Sequence, residues 1–488
     1  MRVRDAIVAA CAGTVLALAF PKVGAAWCAP VGAAALFWMW RDASWKRAFG
    51  LGWFAGLVFF SIACSWAGYT VGPYLGWFAP GVVLLPAAYL GLFFGAAGAA
   101  TAWAVRRAPR WAGPLVFAAA FAFFEWLRSI GTFGVPFGEL GTAQVGTPLA
   151  PLAAYAGTFG VTFAVCVLGG ALADGLLRRA WKPLAAHALA IAATCALAWA
   201  FWPARFAAPA TVRVAAVQGD IAQSLKWTAS SVVVAIDRYE AQTRALAPFH
   251  PQLVVWPETA VAEWLNRDPR TMTRLAGLSR DLQTTLVVGA QRAEPPNAIY
   301  NSLYIFDRGD LAGVYDKRQM VPVVETMPPF LAWLPYVGEL GGGAMSAGTR
   351  DAVYPAGGLI FAPLICWETG FADVAHAQVR AGAQVLVVAT DDAWFGDTAG
   401  PPMHAQISQM TAIENGMWLV RAASTGVSGI IAPDGSYAAR ADMDAQAVVR
   451  GTIGLPPGSP FARTGPLPVA VLMALLYAGL SRRRRPDA

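Results

Sequence analysis

Residues 359–368 read Leu-Ile-Phe-Ala-Pro-Leu-Ile-Cys-Trp-Glu. The charge-free run 359–365, rich in branched and aromatic side chains, has the pattern of a strand buried on both faces. The thiol of Cys366 therefore stands where a strand ends and the chain turns, a position from which a nucleophile can be displayed. The same pattern recurs outward from this point. Strands are expected at 212–217, 253–256, 286–290, 302–306, 311–315, 385–389, 419–423 and 429–432, with helices at 230–247, 272–282, 374–380 and 405–415. Such alternation implies an α/β domain of sheets covered by helices, and pattern alone does not separate two stacked sheets from one.

The whole chain has a second character. Its 488 residues are 57% hydrophobic and 13% charged, too apolar for a water-soluble protein around one ordinary core. Long charge-free runs crowd the part before Pro203, whereas residues 211–463 carry charge at globular density. Apolar runs at 6–20, 24–40, 49–69, 77–105, 115–126, 157–177, 183–202 and 466–480 are read as about eight membrane helices, against the roughly 20 residues that span a hydrocarbon core. The first resembles a secretory signal peptide behind Arg2 and Arg4, but a second apolar stretch follows at once, so a retained helical hairpin is preferred.

Basic residues gather at the cytoplasmic ends of membrane helices. With the N-terminus inside, fifteen Lys and Arg residues fall at inside ends, against three (Lys22, Arg128 and Arg205) outside. Both termini are then cytoplasmic, and the polar region faces outward, which in a bacterium is the periplasm or the cell exterior. The expected division is residues 1–203 for helices one to seven, 204–465 for the extracytoplasmic α/β domain, and 466–488 for the eighth helix and a basic tail. Residues 128–154, rich in glycine, proline and aromatics, are expected at the membrane interface. Glu125 reads either as an ion-pair partner of Arg128 on one helix face or as a functional intramembrane acid.

Cys11, Cys28, Cys64, Cys166 and Cys195 lie in apolar runs, which leaves Cys366 alone in the polar region. An intrachain disulfide there is impossible, and the thiol is either a buried small hydrophobe or a reactive group. Two more polar residues follow buried strands: Glu258 after Leu253-Val254-Val255-Trp256-Pro257, and Lys317 after Gly313-Val314-Tyr315-Asp316. Strand ends converge at one rim of a sheet, so residues far apart in sequence can meet there. A carboxylate, an ammonium and a thiol form a set for nucleophilic acyl transfer: the carboxylate takes the thiol proton, and the ammonium favours the thiolate and the oxyanion. Singly, each has a plain structural reading: Glu258 as a helix cap, Lys317 as a solvated loop residue, Cys366 as core. His187, His250, His376 and His404 show no ligand spacing; no metal and no cofactor is expected, and nothing points to nucleic acid.

Trp256-Pro257-Glu258, Tyr315-Asp316-Lys317 and Ile365-Cys366-Trp367-Glu368 resemble the Glu-Lys-Cys signature of the nitrilase, or carbon-nitrogen hydrolase, superfamily. With membrane helices before and after that domain, the chain resembles the apolipoprotein N-acyltransferase family over essentially its full length. Further matches are 217–221 with Lys226-Trp227, Tyr300-Asn301-Ser302, Val321-Pro322, Asp392-Ala393-Trp394-Phe395-Gly396, 412–414 and Arg421-Ala422. The resemblance implies an α-β-β-α sandwich and a ping-pong reaction. Glu258 would be the general base, Lys317 the oxyanion stabiliser, and Cys366 the nucleophile that takes an acyl chain from a phospholipid. The acceptor would be the N-terminal amine of a diacylated apolipoprotein, and the enzyme would act as a monomer among membrane lipids. Glu325 and Glu368 would support the lysine and the thiol loop.

Phe330, Trp333, Trp394 and Phe395 mark loops that either admit lipid or pack on the domain core. The sequence departs from the family pattern at Val323 and Val324, which replace Phe-Gly before Glu325, and at Asp391 and Ser424, each in place of asparagine. Met403 and Met417 are further departures. A valine adopts positive φ only at a cost, so the Glu325 loop is expected to differ in shape. One rival reading is a membrane-tethered nitrilase-like amidase or hydrolase that passes the acyl group to water or another amine. A transporter or scaffold is a second rival, and it calls for charges at mid-membrane depth, which these helices almost lack.

Overall fold

In the computed structural model the described residues are 2–75, 79–202, 211–221, 226, 229–326, 345–455 and 458–482. The chain divides into two compact units, Met1–Trp202 with Thr464–Ala488, and Pro203–Arg463.

The first unit is helical: α1 (Val3–Ala17), α2 (Cys28–Arg41), α3 (Trp45–Ala63), α4 (Trp66–Leu75), α5 (Ala79–Val105), α6 (Gly113–Arg128), α7 (Ala153–Arg178), α8 (Trp181–Ala200) and α14 (Pro466–Ser481). Among the described residues four helical stretches are long and apolar enough to cross a membrane, namely Trp45–Ala63, Pro80–Val105, Ala150–Arg178 and Trp181–Ala200, and Pro466–Ser481 is a shorter apolar helix. The apolar run expected at 49–69 is broken at Cys64–Ser65 into α3 and the ten-residue α4. Helices α3 and α5 approach closely because small residues face each other; a Cβ on Gly56 would lie 2.8 Å from the Cα of Gly91.

The segment after α6, expected at the membrane interface, is largely buried within the helical unit from Phe137 onward. Phe137, Gly138, Glu139, Leu140 and Gly141 are buried in non-helical backbone that leads into a buried 3-10 turn, Thr142–Gln144. Such backbone is tolerated among apolar helices only when its polar groups are satisfied within the protein. Arg128, 1% exposed, donates to the carbonyls of Val135 and Phe137 and lies over the Phe60 ring. Glu125 accepts from the Leu140 N–H at 2.9 Å and from Thr162, whose oxygen in turn accepts the Gly141 N–H at 2.8 Å. Its nearest approach to Arg128 is 4.0 Å, so the two charged groups fasten the loop more directly than they fasten each other. At Gly141 a Cβ would collide with the Thr158 carbonyl oxygen.

The second unit contains two sheets. One has the order β13-β1-β2-β4-β5-β6 with β3 paired to β4, and the other the order β12-β11-β10-β9-β8-β7. The first is built from β1 (Val212–Gln218), β2 (Leu253–Val255), β3 (Val261–Trp264), β4 (Thr285–Glu294), β5 (Ala298–Asp307), β6 (Asp310–Asp316) and β13 (Ala447–Ile453). The second holds β7 (Tyr354–Ala356), β8 (Leu359–Ile365), β9 (Val385–Thr390), β10 (Leu419–Ala423), β11 (Ser428–Ile431) and β12 (Tyr437–Ala441). Strands β1, β2 and β4 run parallel, as do β8, β9 and β10. Side chains of both sheets share one core, including Val214, Val255 and Leu303 from the first and Phe361, Val387 and Val420 from the second. The other face of the first sheet packs under α9 (Ala229–Arg244) and α10 (Pro269–Asp281). Helices α11 (Ala372–Arg380) and α12 (Gly400–Asn415) pack on the second sheet, and α13 (Pro460–Thr464) follows β13. The result is an α-β-β-α sandwich, with two sheets where the alternation left one or two open.

Removing Arg128 should release the buried loop. Arg128→Met is expected to cost on the order of 3–5 kcal/mol, the usual consequence of breaking a buried charge network from one side, and to lower the thermal unfolding temperature in detergent. Phe133→Ala, at a 40% exposed position of the same loop, is expected to leave it unchanged.

Candidate active site

The strand-end residues do meet, but at the end of the sandwich where strands of both sheets terminate, not at the rim of a single sheet. Glu258 follows β2 through Trp256, which is fully buried, donates to Thr243 at 2.9 Å and stacks on Tyr239 of α9. Gly289 on β4 leaves room for this turn, since a Cβ there would lie 2.6 Å from the Glu258 Cα. Lys317 directly follows β6, and its backbone N–H donates to the Asn301 carbonyl of β5 at 2.8 Å. Cys366 follows β8 and opens a short 3-10 turn, Cys366–Gly370.

Lys317 is 1% exposed. Its Nζ lies 2.7 Å from Glu325 Oε1 and 3.5 Å from Glu258 Oε1. Burial works against its charge, yet Glu325, Glu258 and then Cys366 outweigh it and hold the ammonium above the ordinary lysine value. Each carboxylate has further donors. Asn301 Nδ2 reaches Glu258 at 2.6 Å and Glu325 at 3.3 Å, the Asp391 N–H donates to Glu258 Oε2 at 2.8 Å, and the Val321 N–H donates to Glu325 at 2.7 Å. The loop carrying Glu325 closes on itself by Val323 N–H to Thr326 carbonyl at 2.8 Å, with Val323 at φ 71°. A β-branched residue is thus held in the left-handed region at a cost, where the sequence led one to expect a loop of different shape.

Cys366 is half-buried and has φ 50°, a strained conformation for a residue with a Cβ. Two groups hold it there. Glu368, fully buried, accepts from the N–H groups of Ile365, Arg318 and Gln319 and from the Tyr315 hydroxyl, at 2.6–3.1 Å. The Cys366 carbonyl accepts from Thr369 Oγ1 at 2.8 Å and faces His404 Nε2 at 3.1 Å. His404 Nδ1 is 2.9 Å from Asp392, which also accepts from Arg421 at 2.6 Å and from Thr390. Burial, and then the Glu258 charge, push the Cys366 thiol well above the ordinary cysteine range; Lys317 and the Thr390 hydroxyl pull it back. The resting sulfur is therefore a thiol beside a carboxylate, an arrangement that can pass its proton to Glu258 as the sulfur attacks.

All five residues expected in the site and its support, Glu258, Lys317, Cys366, Glu325 and Glu368, are in this cluster. Phe395 is buried with its ring 6.1 Å from that of His404, Trp394 is half-buried, and Phe330 and Trp333 lie outside the described residues. Sequence reasoning gave no role to Asn301, Asp392, His404 or Arg421. Asn301, Asp392 and Arg421 occur in the quoted motifs, which was the available signal; His404 had none beyond its neighbour Met403.

Two outcomes follow. Glu368→Gln turns an acceptor partly into a donor facing backbone N–H groups, so about 1–3 kcal/mol of stability is expected to be lost for each donor orphaned, read as a lower unfolding temperature together with loss of acyl transfer. Burial opposes the Asp392 charge, but Arg421 and then His404 prevail and hold its carboxyl at about 2. A depressed carboxyl stabilises the fold above its unfolded value of about 4, and this contribution disappears as pH falls toward 2. The drop in unfolding temperature from pH 6 to pH 3 is expected to be smaller in Asp392→Asn, by an amount corresponding to about 1 kcal/mol, since the folded-state carboxyl is still mostly ionised at pH 3.

Comparison with known proteins places this geometry in context. Residues 213–457 match the carbon-nitrogen hydrolase model, and residues 12–171 match the apolipoprotein N-acyltransferase N-terminal domain. The chain is 32% identical to an apolipoprotein N-acyltransferase of Geobacter metallireducens, over 94% of this chain and 91% of the relative. It is also 32% identical to one of Methylococcus capsulatus, over 98% and 95%. A nitrilase-superfamily protein of Saccharomyces cerevisiae aligns in structure over 50% of this chain and 90% of its own, at 19% identity and a TM-score of 0.40.

Proposed function

The chain belongs to the apolipoprotein N-acyltransferase family, and we propose that it works through a thioester on Cys366. It is an acyltransferase that N-acylates lipoproteins. Glu258 takes the Sγ proton as sulfur attacks the ester carbonyl of a phospholipid. Lys317 and the Trp367 N–H stabilise the oxyanion, the ester C–O bond breaks, and the lysophospholipid oxygen leaves with the proton from Glu258. The N-terminal amine of the diacylglyceryl-cysteine of an apolipoprotein then attacks the thioester. Glu258 takes the amine proton, an amide forms, and the released sulfur is reprotonated.

The observation that carries this reading is Lys317 lodged between two carboxylates, Glu258 and Glu325, beside a thiol held at positive φ. One chain supplies every group, so a single copy is enough for the chemistry. Residues 1–203 and 466–488 lie in a bacterial inner membrane with both termini cytoplasmic. The eight expected spans correspond to α1, α2, α3, α5, α6, α7, α8 and α14, and the α/β unit at 204–465 is periplasmic. Trp394, half-buried and directly before Phe395, is the residue assigned to touch the acyl chain.

Intact-mass analysis of the purified protein with phospholipid is expected to show a fatty acyl adduct on Cys366 that a diacylated lipopeptide discharges. The adduct should be absent in Cys366→Ala. Prompt release of free fatty acid without an amine acceptor would instead mean a hydrolase.

A further inference from the structure

A second buried lysine and aspartate lie behind the base. Lys226, 4% exposed, places Nζ 2.5 Å from Asp391 Oδ2, 3.3 Å from the carbonyl oxygen of Glu258 and 3.5 Å from Ser424 Oγ. Asp391, 3% exposed, accepts from Ser424 Oγ at 2.6 Å, and its own N–H donates to Glu258 Oε2 at 2.8 Å. Glu258 is therefore held at both ends by the same pair, its backbone by Lys226 and its carboxylate by the backbone of Asp391.

From this clamp we infer that Lys226 and Asp391 are positioning residues that fix Glu258 and, by cancelling each other's charge, set the pH at which it accepts the Cys366 proton. The inference rests on Glu258 acting as the base. An asparagine at 391 would accept a hydrogen bond from Lys226 but leave its charge uncompensated, and a serine at 424 has a hydroxyl to give to a carboxylate. Asp391 and Ser424, two of the departures from the family pattern noted above, thus meet on one ammonium. The Asp391 charge is felt nearby: burial, and then Asp391, hold the Tyr239 hydroxyl above the ordinary phenol value. The other groups facing Glu258 are Lys317 at 3.5 Å, the Asn301 amide at 2.6 Å and the Cys366 thiol, with Glu325 behind Lys317 and Asn301. None of these is altered by changing the Lys226–Asp391 pair, so its charge can be varied alone.

The test is the rate of Cys366 alkylation by iodoacetamide against pH, read by peptide mass on the full-length protein in detergent, with acyl-adduct formation from phospholipid measured in parallel. Lys226→Met leaves a lone negative charge and should move the alkylation profile to higher pH. Asp391→Asn leaves a lone positive charge and should move it to lower pH. Each shift is expected to be on the order of one pH unit, as one uncompensated charge gives at an effective dielectric near 20, and the double variant should return toward the parent. Since a structural role would lower stability without opposite shifts or mutual rescue, profiles that stay put or move the same way overturn the inference. If Lys226→Met does not fold, Asp391→Asn decides alone: a shift to lower pH supports the clamp and an unmoved profile refutes it. Alkylation needs no lipid, so absence of an acyl adduct in the parent would count against the thioester reading while the shifts still judge the clamp.

Discussion

An ammonium sealed from solvent needs opposite charge within a few ångströms, and Lys317 obtains it from Glu258 and Glu325. The effective penalty for burying one unpaired ion is several kcal/mol, so the two carboxylates must arrive together with the lysine. They in turn require donors for their remaining oxygens. Asn301 serves both, while the N–H groups of Asp391 and Val321 serve one each. The turn at 321–326, with Val323 forced to positive φ, and the packing of Trp256 on α9 both follow from bringing those acids to one point.

The nucleophile is governed by the same rule applied to backbone groups. A left-handed Cys366 would relax unless the chain on either side of it were held. Glu368 holds the N–H side through Ile365, and Thr369 and His404 hold the carbonyl. Glu368 also gathers Tyr315, Arg318 and Gln319, so one buried acid ties the thiol loop to the strand that delivers Lys317. The two sheets are thereby coupled at the site as well as through their shared apolar core.

In the helical unit the solvent is different and the constraint is the same. Non-helical backbone at Phe137–Gly141 can be buried because Arg128, Glu125 and Thr162 satisfy its carbonyl and N–H groups. Glu125 at a helix end fastens that loop through the Leu140 N–H and Thr162.

Much of this was legible in the chain. Continuous apolar runs such as 359–365 and 385–389 can be little other than buried strands or helix cores, and the switch to charge-free runs before Pro203 announces a different solvent. Strands β3 and β7, of four and three residues, are too short to show a period, and β12 and β13 were not legible because Tyr437–Ala441 and Ala447–Ile453 interleave Arg440, Arg450 and Thr452 with small residues at half-exposed edges. Local sequence thus determined the element types, the residues standing at strand ends and the resemblance that named Glu258, Lys317 and Cys366. Only the tertiary structure decided that those ends belong to two sheets, that His404, Asp392 and Arg421 lie beneath the thiol loop, and that Lys226 faces Asp391. The physical reason is that periodicity reports which face of an element is buried, whereas charge compensation acts between groups such as Lys226 and Asp391, 165 positions apart in the chain.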